Sequence, residues 1–311
     1  MASWQSRLLN KVVARNMRGS RRAQRARAGR PLPEKISPQT LAKIRQNIEP
    51  TGRLSRVLQP AVRAGTLGGV PGELHEPKHA QDRWVLYFHG GGYSWGSSAS
   101  HRRLTARLAR ESRAKLWSMD YRLSPEHPFP AGLDDAWAAW KALIESVPSE
   151  RCVLAGDSAG GGLVAALLHR LVQEGGTLPA AAYLISPWVD LTLSGDSLRT
   201  QAERDPMVQA SFLPLVVEQY RGEVQVDDPY ISPVFADHRG WPPLLVHVGD
   251  REVLLDDSLA LQTRAANAGV EVQLQVWPGM MHVFPFFASV LPEGRRALRL
   301  AGRYIQDQTP R

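Results

Sequence analysis

The chain has 311 residues, of which 43% are hydrophobic and 22% charged, a balance that suits a folded globular protein and excludes a disordered or fibrous one. Its net charge of +8 is confined to one end: residues 1–30 hold nine basic side chains and no acid, so residues 31–311 sum to −1. The single cysteine, Cys152, excludes an internal disulfide and a cysteine-based metal cluster and fits a cytoplasmic protein; no apolar run approaches the ~20 residues of a membrane span, and the start lacks the apolar core of a secretory signal.

In chain order, residues 3–18 place Trp4, Leu8 and Val12 four apart, with Leu9 and Val13 beside them and Arg7, Lys11, Arg15 and Arg18 largely on another side. This is the period of an amphipathic helix. It reads as a cap helix packed over an active site; a helix lying on a membrane surface, and nucleic-acid contact through residues 21–30, are the alternatives. Pro31 and Pro33 end the segment, and a second short helix is predicted over 38–48. Residues 54–79 set Val57, Leu58 and Val62 among glycine, proline and turn residues, which reads as one or two edge strands. Residues 84–88 form a near-continuous apolar run, the pattern of a strand buried on both faces, and lead directly into His89-Gly90-Gly91-Gly92. A helix with an arginine-rich outer face is expected over 101–113, then a strand over 114–119. Pro125, Pro128 and Pro130 enforce a loop, after which Leu133, Trp137, Trp140, Leu143 and Ile144 mark a helix whose two tryptophans read as core.

The apolar residues 152–155 are followed by Gly156-Asp157-Ser158-Ala159-Gly160 and a small-residue, helix-prone run to Leu171. Strands are expected over 181–185, 244–248 and 270–276, helices over 258–268 and 294–306, and inserted helices over 193–223. Strands alternating with helices predict an α/β protein: a mostly parallel sheet with helices on both faces.

The pentapeptide carries the chemistry. Strand, sharp turn and helix make a nucleophile elbow, which lifts a serine hydroxyl above the strand ends and needs nearly side-chain-free neighbours such as Gly156 and Gly160. A serine is a weak nucleophile until a base takes its proton, and the base is expected to be a histidine held by a carboxylate. Downstream of Ser158, His282 lies on a glycine-containing loop after a late strand; His169 sits on the elbow helix, His247 inside a strand and His238 in a polar loop. For the acid, Asp250, Glu252, Asp256 and Asp257 crowd past the strand ending at Val248, and spacing alone does not choose among the first three; Asp256 and Asp257 also suit a helix N-cap. The backbone N–H of Ala159 and the glycine-rich loop Gly90-Gly91-Gly92 are the expected donors to a developing oxyanion.

With His89-Gly90-Gly91-Gly92, Tyr121-Arg122-Leu123-Ser124-Pro125-Glu126 followed by Phe129-Pro130-Ala131, and Gly156-Asp157-Ser158-Ala159-Gly160 in this order, the chain resembles the hormone-sensitive-lipase-like esterases of the α/β-hydrolase superfamily over roughly residues 50–306. The resemblance implies an eight-stranded, mostly parallel sheet in a core of residues 51–311, with a helical cap built from residues 1–50 and an insertion at about 193–223. The family's acid stretch is similar to Asp-Pro-Leu-x-Asp-Glu; here it is matched by Glu252-Val253-Leu254-Leu255-Asp256-Asp257, which puts Glu252 at the acid position and a glutamate where aspartate is commoner. His282 matches the base, Gly91 and Gly92 the usual oxyanion donors, and residues 121–131 the brace of the active-site loops. The implied activity is hydrolysis of short-acyl carboxylic esters, with small lactones and acetyl groups as variants, through a serine acyl-enzyme and without metal or cofactor. A homodimer paired through an edge strand is implied, and no nucleic-acid partner. The alternative is a non-catalytic ligand-binding protein on the same fold, a use in which the base position is altered; the presence of His282 and the acid cluster counts against it.

Overall fold

In a computed structural model of the protein, residues 2–25, 36–56 and 62–309 are described, with side chains for 2–14, 36–48 and 62–309. Pro31, Pro33, Val57 and Leu58 lie outside them. Two helices come first, α1 (Trp4–Arg25) and α2 (Pro38–Arg56), the second longer than its sequence pattern indicated. The core then runs β1 (Val62–Leu67), β2 (Val70–His75), β3 (Trp84–Phe88), α3 (Ser98–Ser112), β4 (Lys115–Met119), α4 (Ala131–Ile144), β5 (Cys152–Asp157), α5 (Ala159–Gln173) and β6 (Ala181–Ile185). After it come α6 (Ser197–Thr200), α7 (Leu213–Tyr220), β7 (Leu244–Gly249), α8 (Leu255–Asn267), β8 (Val272–Trp277) and α9 (Pro292–Gln308).

The strands form one eight-stranded sheet in the order β1-β2-β4-β3-β5-β6-β7-β8. β1 and β2 form an antiparallel hairpin turned at Gly68-Gly69, β2 is antiparallel to β4, and every pair from β4 to β8 is parallel. Period-two alternation splits the strand side chains between two cores. Leu86, Phe88, Leu154, Leu184 and Val246 meet α4, α5 and α8 through Trp140, Leu167 and Leu261. Val85, Tyr87, Val153, Tyr183 and Leu245 meet α3 and α9 through Leu104, Leu108, Leu298 and Ile305. The central strands are therefore apolar on both faces, which is why they read as runs and not as alternation.

Several local expectations are corrected. The third helix begins at Ser98, where Ser97 and Ser100 form a reciprocal capping box, and its Arg102 is buried in an ion pair with Glu73 and not on an outer face. Trp140 is fully buried and donates to the Thr177 carbonyl, while Trp137 is half-buried under the Arg170 guanidinium. Asp256 and Asp257 do not cap α8, whose N-cap residue is Leu254. The inward face of α1 carries Leu9 and Val13, against Met280, Met281 and Phe284, and leaves Trp4, Leu8 and Val12 exposed.

Candidate active site

Parallel strands all point their carboxyl ends the same way, and the loops that leave those ends build the site. β5 ends in the elbow: Ser158 has φ +52 and ψ −122, and Ala159 opens α5. A non-glycine residue held there is strained, and the strain points its hydroxyl away from the strand. Gly160 lets the turn close against the sheet; a Cβ on it would lie 2.0 Å from the Phe88 carbonyl oxygen. After β8 the loop returns His282, whose Nε2 is 2.9 Å from Ser158 Oγ. After β7 the loop presents Glu252, whose Oε2 is 2.8 Å from His282 Nδ1. Glu252 is fully buried, and its other oxygen accepts from Gly249 N at 2.5 Å and Ser186 Oγ at 2.7 Å. With three partners on the carboxylate, its orientation is held and the imidazole is set with Nε2 toward the serine.

The other acids of that cluster have different duties. Asp250 accepts from Gly279 N, Asp256 from Ser197 N, and Asp257 from Val189 N and Asp190 N. Of the rival histidines, His238 bonds the Pro233 carbonyl, His247 lies beside Tyr183 within the sheet, and His169 packs on Tyr230.

Burial works against a charged His282, but the hydrogen bond and charge of Glu252, followed by the charges of Asp205 and Asp157, raise its pKa above the ordinary 6.5. Opposite the imidazole lies the glycine-rich loop. Gly91 and Gly92 take φ +125 and +55, conformations that glycine adopts freely. Among the described residues, the N–H groups of Gly91, Gly92 and Ala159 donate to no protein acceptor. Gly90 differs from expectation: its N–H is committed to Asp157 Oδ1 at 3.0 Å, so it is not free to meet a substrate oxygen.

A cavity of about 360 Å³ opens over Ser158 and His282, walled by Trp95, Trp188, Phe212, Leu213 and Val216, with Asn47 and Ile48 of α2 at its edge.

Residues 85–286 match the family model described as the alpha/beta hydrolase fold. An acetyl-hydrolase of Streptomyces hygroscopicus is 42% identical over 256 residues, 79% of this chain and 86% of that protein. An esterase of Acinetobacter venetianus is 35% identical over 239 residues, 76% and 79% of the two chains. Among solved structures, a hormone-sensitive lipase from a metagenome library superposes with a TM-score of 0.87 at 37% identity, covering 98% of each chain. An esterase from the bacterial hormone-sensitive lipase family does so at 0.87 and 37%, over the whole of both. The chain belongs to the hormone-sensitive-lipase-like branch of the α/β hydrolases.

In this α/β hydrolase several site residues escaped the sequence reading. Ser186, at the end of β6 with φ +46, donates to Glu252 and accepts from Val283 N at 3.1 Å, joining the acid to the loop that carries His282. Asp205, wholly buried in the segment between β6 and β7, accepts from Val253 N at 3.0 Å and so ties that segment to the loop carrying Glu252. Arg45 of α2 donates to the carbonyls of Ser94 and Ser124 and pairs with Glu126. Behind the glycine loop, Asp157 accepts from Tyr87 Oη at 2.6 Å and faces His101 at 3.4 Å. Burial alone would raise that carboxyl; the His101 charge and these hydrogen bonds bring it below its usual value. Serine, arginine and aspartate are common surface residues, so no pattern in one sequence marks Ser186, Asp205 or Arg45; Asp157 stands inside the elbow pentapeptide, but its partners do not follow from that motif. The Tyr121 hydroxyl donates to the His89 carbonyl at 2.7 Å and Ser124 N to the Tyr93 carbonyl at 2.8 Å, so residues 121–131 do brace the glycine loop.

Proposed function

We infer that this protein hydrolyses carboxylic esters through a covalent acyl-serine. The unbroken hydrogen-bond chain from Ser158 through His282 to Glu252, at the floor of an apolar cavity, carries the reading. The names of its relatives, an acetyl-hydrolase and an esterase, support it. Ser158 Oγ attacks the acyl carbon as His282 Nε2 takes its proton, and the charge formed on the imidazole faces Glu252. The carbonyl oxygen, now negative, is met by N–H groups of Gly91, Gly92 and Ala159, with the N-terminus of α5 behind them. One such donor stabilises the transition state by about 2.7–4 kcal/mol. His282 then returns the proton to the leaving alcohol, the bond to that alcohol breaks, and the acyl group stays on Ser158. Water repeats the sequence and releases the acid.

The cap reading belongs to the same proposal. Residues 193–223 and α2 wall the cavity, and α1 lies on the loop of His282, donating from Ser6 Oγ and Asn10 Nδ2 to the Gly279 carbonyl. A cavity of about 360 Å³ sits at the small end for ligand sites, which favours short acyl chains. The test is Ser158→Ala. It should abolish p-nitrophenyl acetate turnover and fluorophosphonate labelling while leaving the melting midpoint in place; wild-type turnover should fall as the acyl chain lengthens. Activity near wild type in the alanine variant refutes the mechanism.

A further inference from the structure

The outward face of α1 differs from the rest of the surface. Trp4, Leu8 and Val12, one turn apart and thus on one stripe, are 64%, 53% and 47% exposed. Half of the large hydrophobic side chains left exposed among the described residues are these three. Exposed Arg7 and Lys11 flank the stripe, and the sequence of the same helix continues with Arg15, Arg18, Arg21, Arg22 and Arg25, with no acid in residues 1–30. Arg7 and Lys11 also line a cavity of about 480 Å³ together with Arg204, Arg251 and a single acid, Glu203. The Nε of Arg251 is buried with no hydrogen-bond partner.

The stripe is held outward by the other side of the helix. Ser3 donates through N and Oγ to the Glu293 carboxylate at 2.6 and 2.8 Å, Ser6 and Asn10 bond the Gly279 carbonyl, and Leu9 and Val13 pack inward. What covers the stripe must match both its apolar and its cationic parts. A second copy meeting this face symmetrically would set the same cations against each other. Nucleic acid would meet the cations but has no use for a leucine and a valine. An anionic bilayer meets both: the Trp and aliphatic side chains enter the headgroup boundary while Lys and Arg reach lipid phosphates.

We propose that the outward face of α1, with Trp4, Leu8 and Val12 inserted and Arg7 and Lys11 at headgroup level, docks the hydrolase reversibly on an anionic lipid surface. The site lies apart from the cavity over Ser158, so docking and hydrolysis are separable. The experiment is co-sedimentation of the full chain with vesicles of equimolar phosphatidylcholine and phosphatidylglycerol, against phosphatidylcholine alone, at low and high salt. Binding is expected on the anionic vesicles and should weaken with salt. Replacing both cations, Arg7→Ala with Lys11→Ala, should weaken it about thirty-fold. Trp4→Ser with Leu8→Ser should weaken it at least about tenfold, and both pairs should hydrolyse soluble p-nitrophenyl acetate like wild type. Equal binding to both vesicle types, variants that bind like wild type, binding to duplex DNA with none to vesicles, or a dimer that the stripe variant splits without any vesicle binding would each overturn the proposal.

Discussion

Glu252 has its carboxylate held on both oxygens, by Gly249 N and Ser186 Oγ on one and His282 Nδ1 on the other. That arrangement makes two measurable demands. First, in the proposed mechanism His282 takes the serine proton only when neutral, and its pKa is raised above 6.5; kcat/KM should therefore fall as pH drops through a value above that of an ordinary histidine. Second, Glu252→Gln weakens the hydrogen bond and removes the charge that together do most of the raising, so the acid limb of the profile should move to lower pH. The amide also offers the imidazole no charge to face, and kcat should drop by about 10³–10⁴-fold. An acid limb that stays in place would show that another group titrates. Glu252 was legible as a match to a family stretch. That Glu252 and not Asp250 or Asp256 meets His282 is a matter of tertiary structure, because a loop can present any of three neighbouring carboxylates.

The elbow is the element on which the site depends. Its helix starts with no side-chain cap, and its first turn passes so close to β3 that only glycine fits at 160. The obstacle is the Phe88 carbonyl, which is backbone inside a packed sheet and cannot rotate aside. Gly160→Ala should cost about 3 kcal/mol or more of unfolding free energy and displace Ser158 from His282, so denaturant midpoint and turnover should fall together. A stable, fully active alanine variant would mean that the turn can relax. Helix α1 teaches the reverse lesson. Its two apolar stripes, Trp4-Leu8-Val12 and Leu9-Val13, are both periodic in sequence, and the wider one is outside. Periodicity establishes that a helix has an apolar side; which side finds a neighbour is set by Gly279, Met280 and Met281, some 270 residues away in sequence.

At the scale of the whole molecule, the double-faced sheet buries histidines that the site does not use. Burial lowers His75 and His247 to about 3, and burial together with neighbouring His101 lowers His89 to about 4; His169 and His238 are lowered too. Once pH falls below about 6.5, the unfolded chain binds protons that these folded imidazoles refuse, so stability drops toward acid. His101 and His282, both raised, do not change in that window: their contribution is complete below 6.5 and is lost only as pH rises through their folded values. Asp205 and Asp257, raised by burial, act in the opposite sense. Five imidazoles against two carboxyls predict a melting midpoint that declines steadily from pH 6.5 to pH 4. A flat or rising profile would contradict it.

Much of this protein was decided within short stretches of chain. The order of strands and helices follows from local periodicity, and the elbow and glycine loop follow from backbone conformations that only certain residues tolerate; both are written over five to fifteen residues at a time. The loop containing His282 was identifiable for the same reason. What short stretches cannot encode is convergence. That Gly90 spends its N–H on Asp157, that Ser186 and Asp205 lock the acid's loop, and that Trp4 faces outward are matters of which distant groups meet once the sheet is closed. Hydrogen bonds and packing depend on distances in space, and the chain's covalent order does not contain them until the strands have paired.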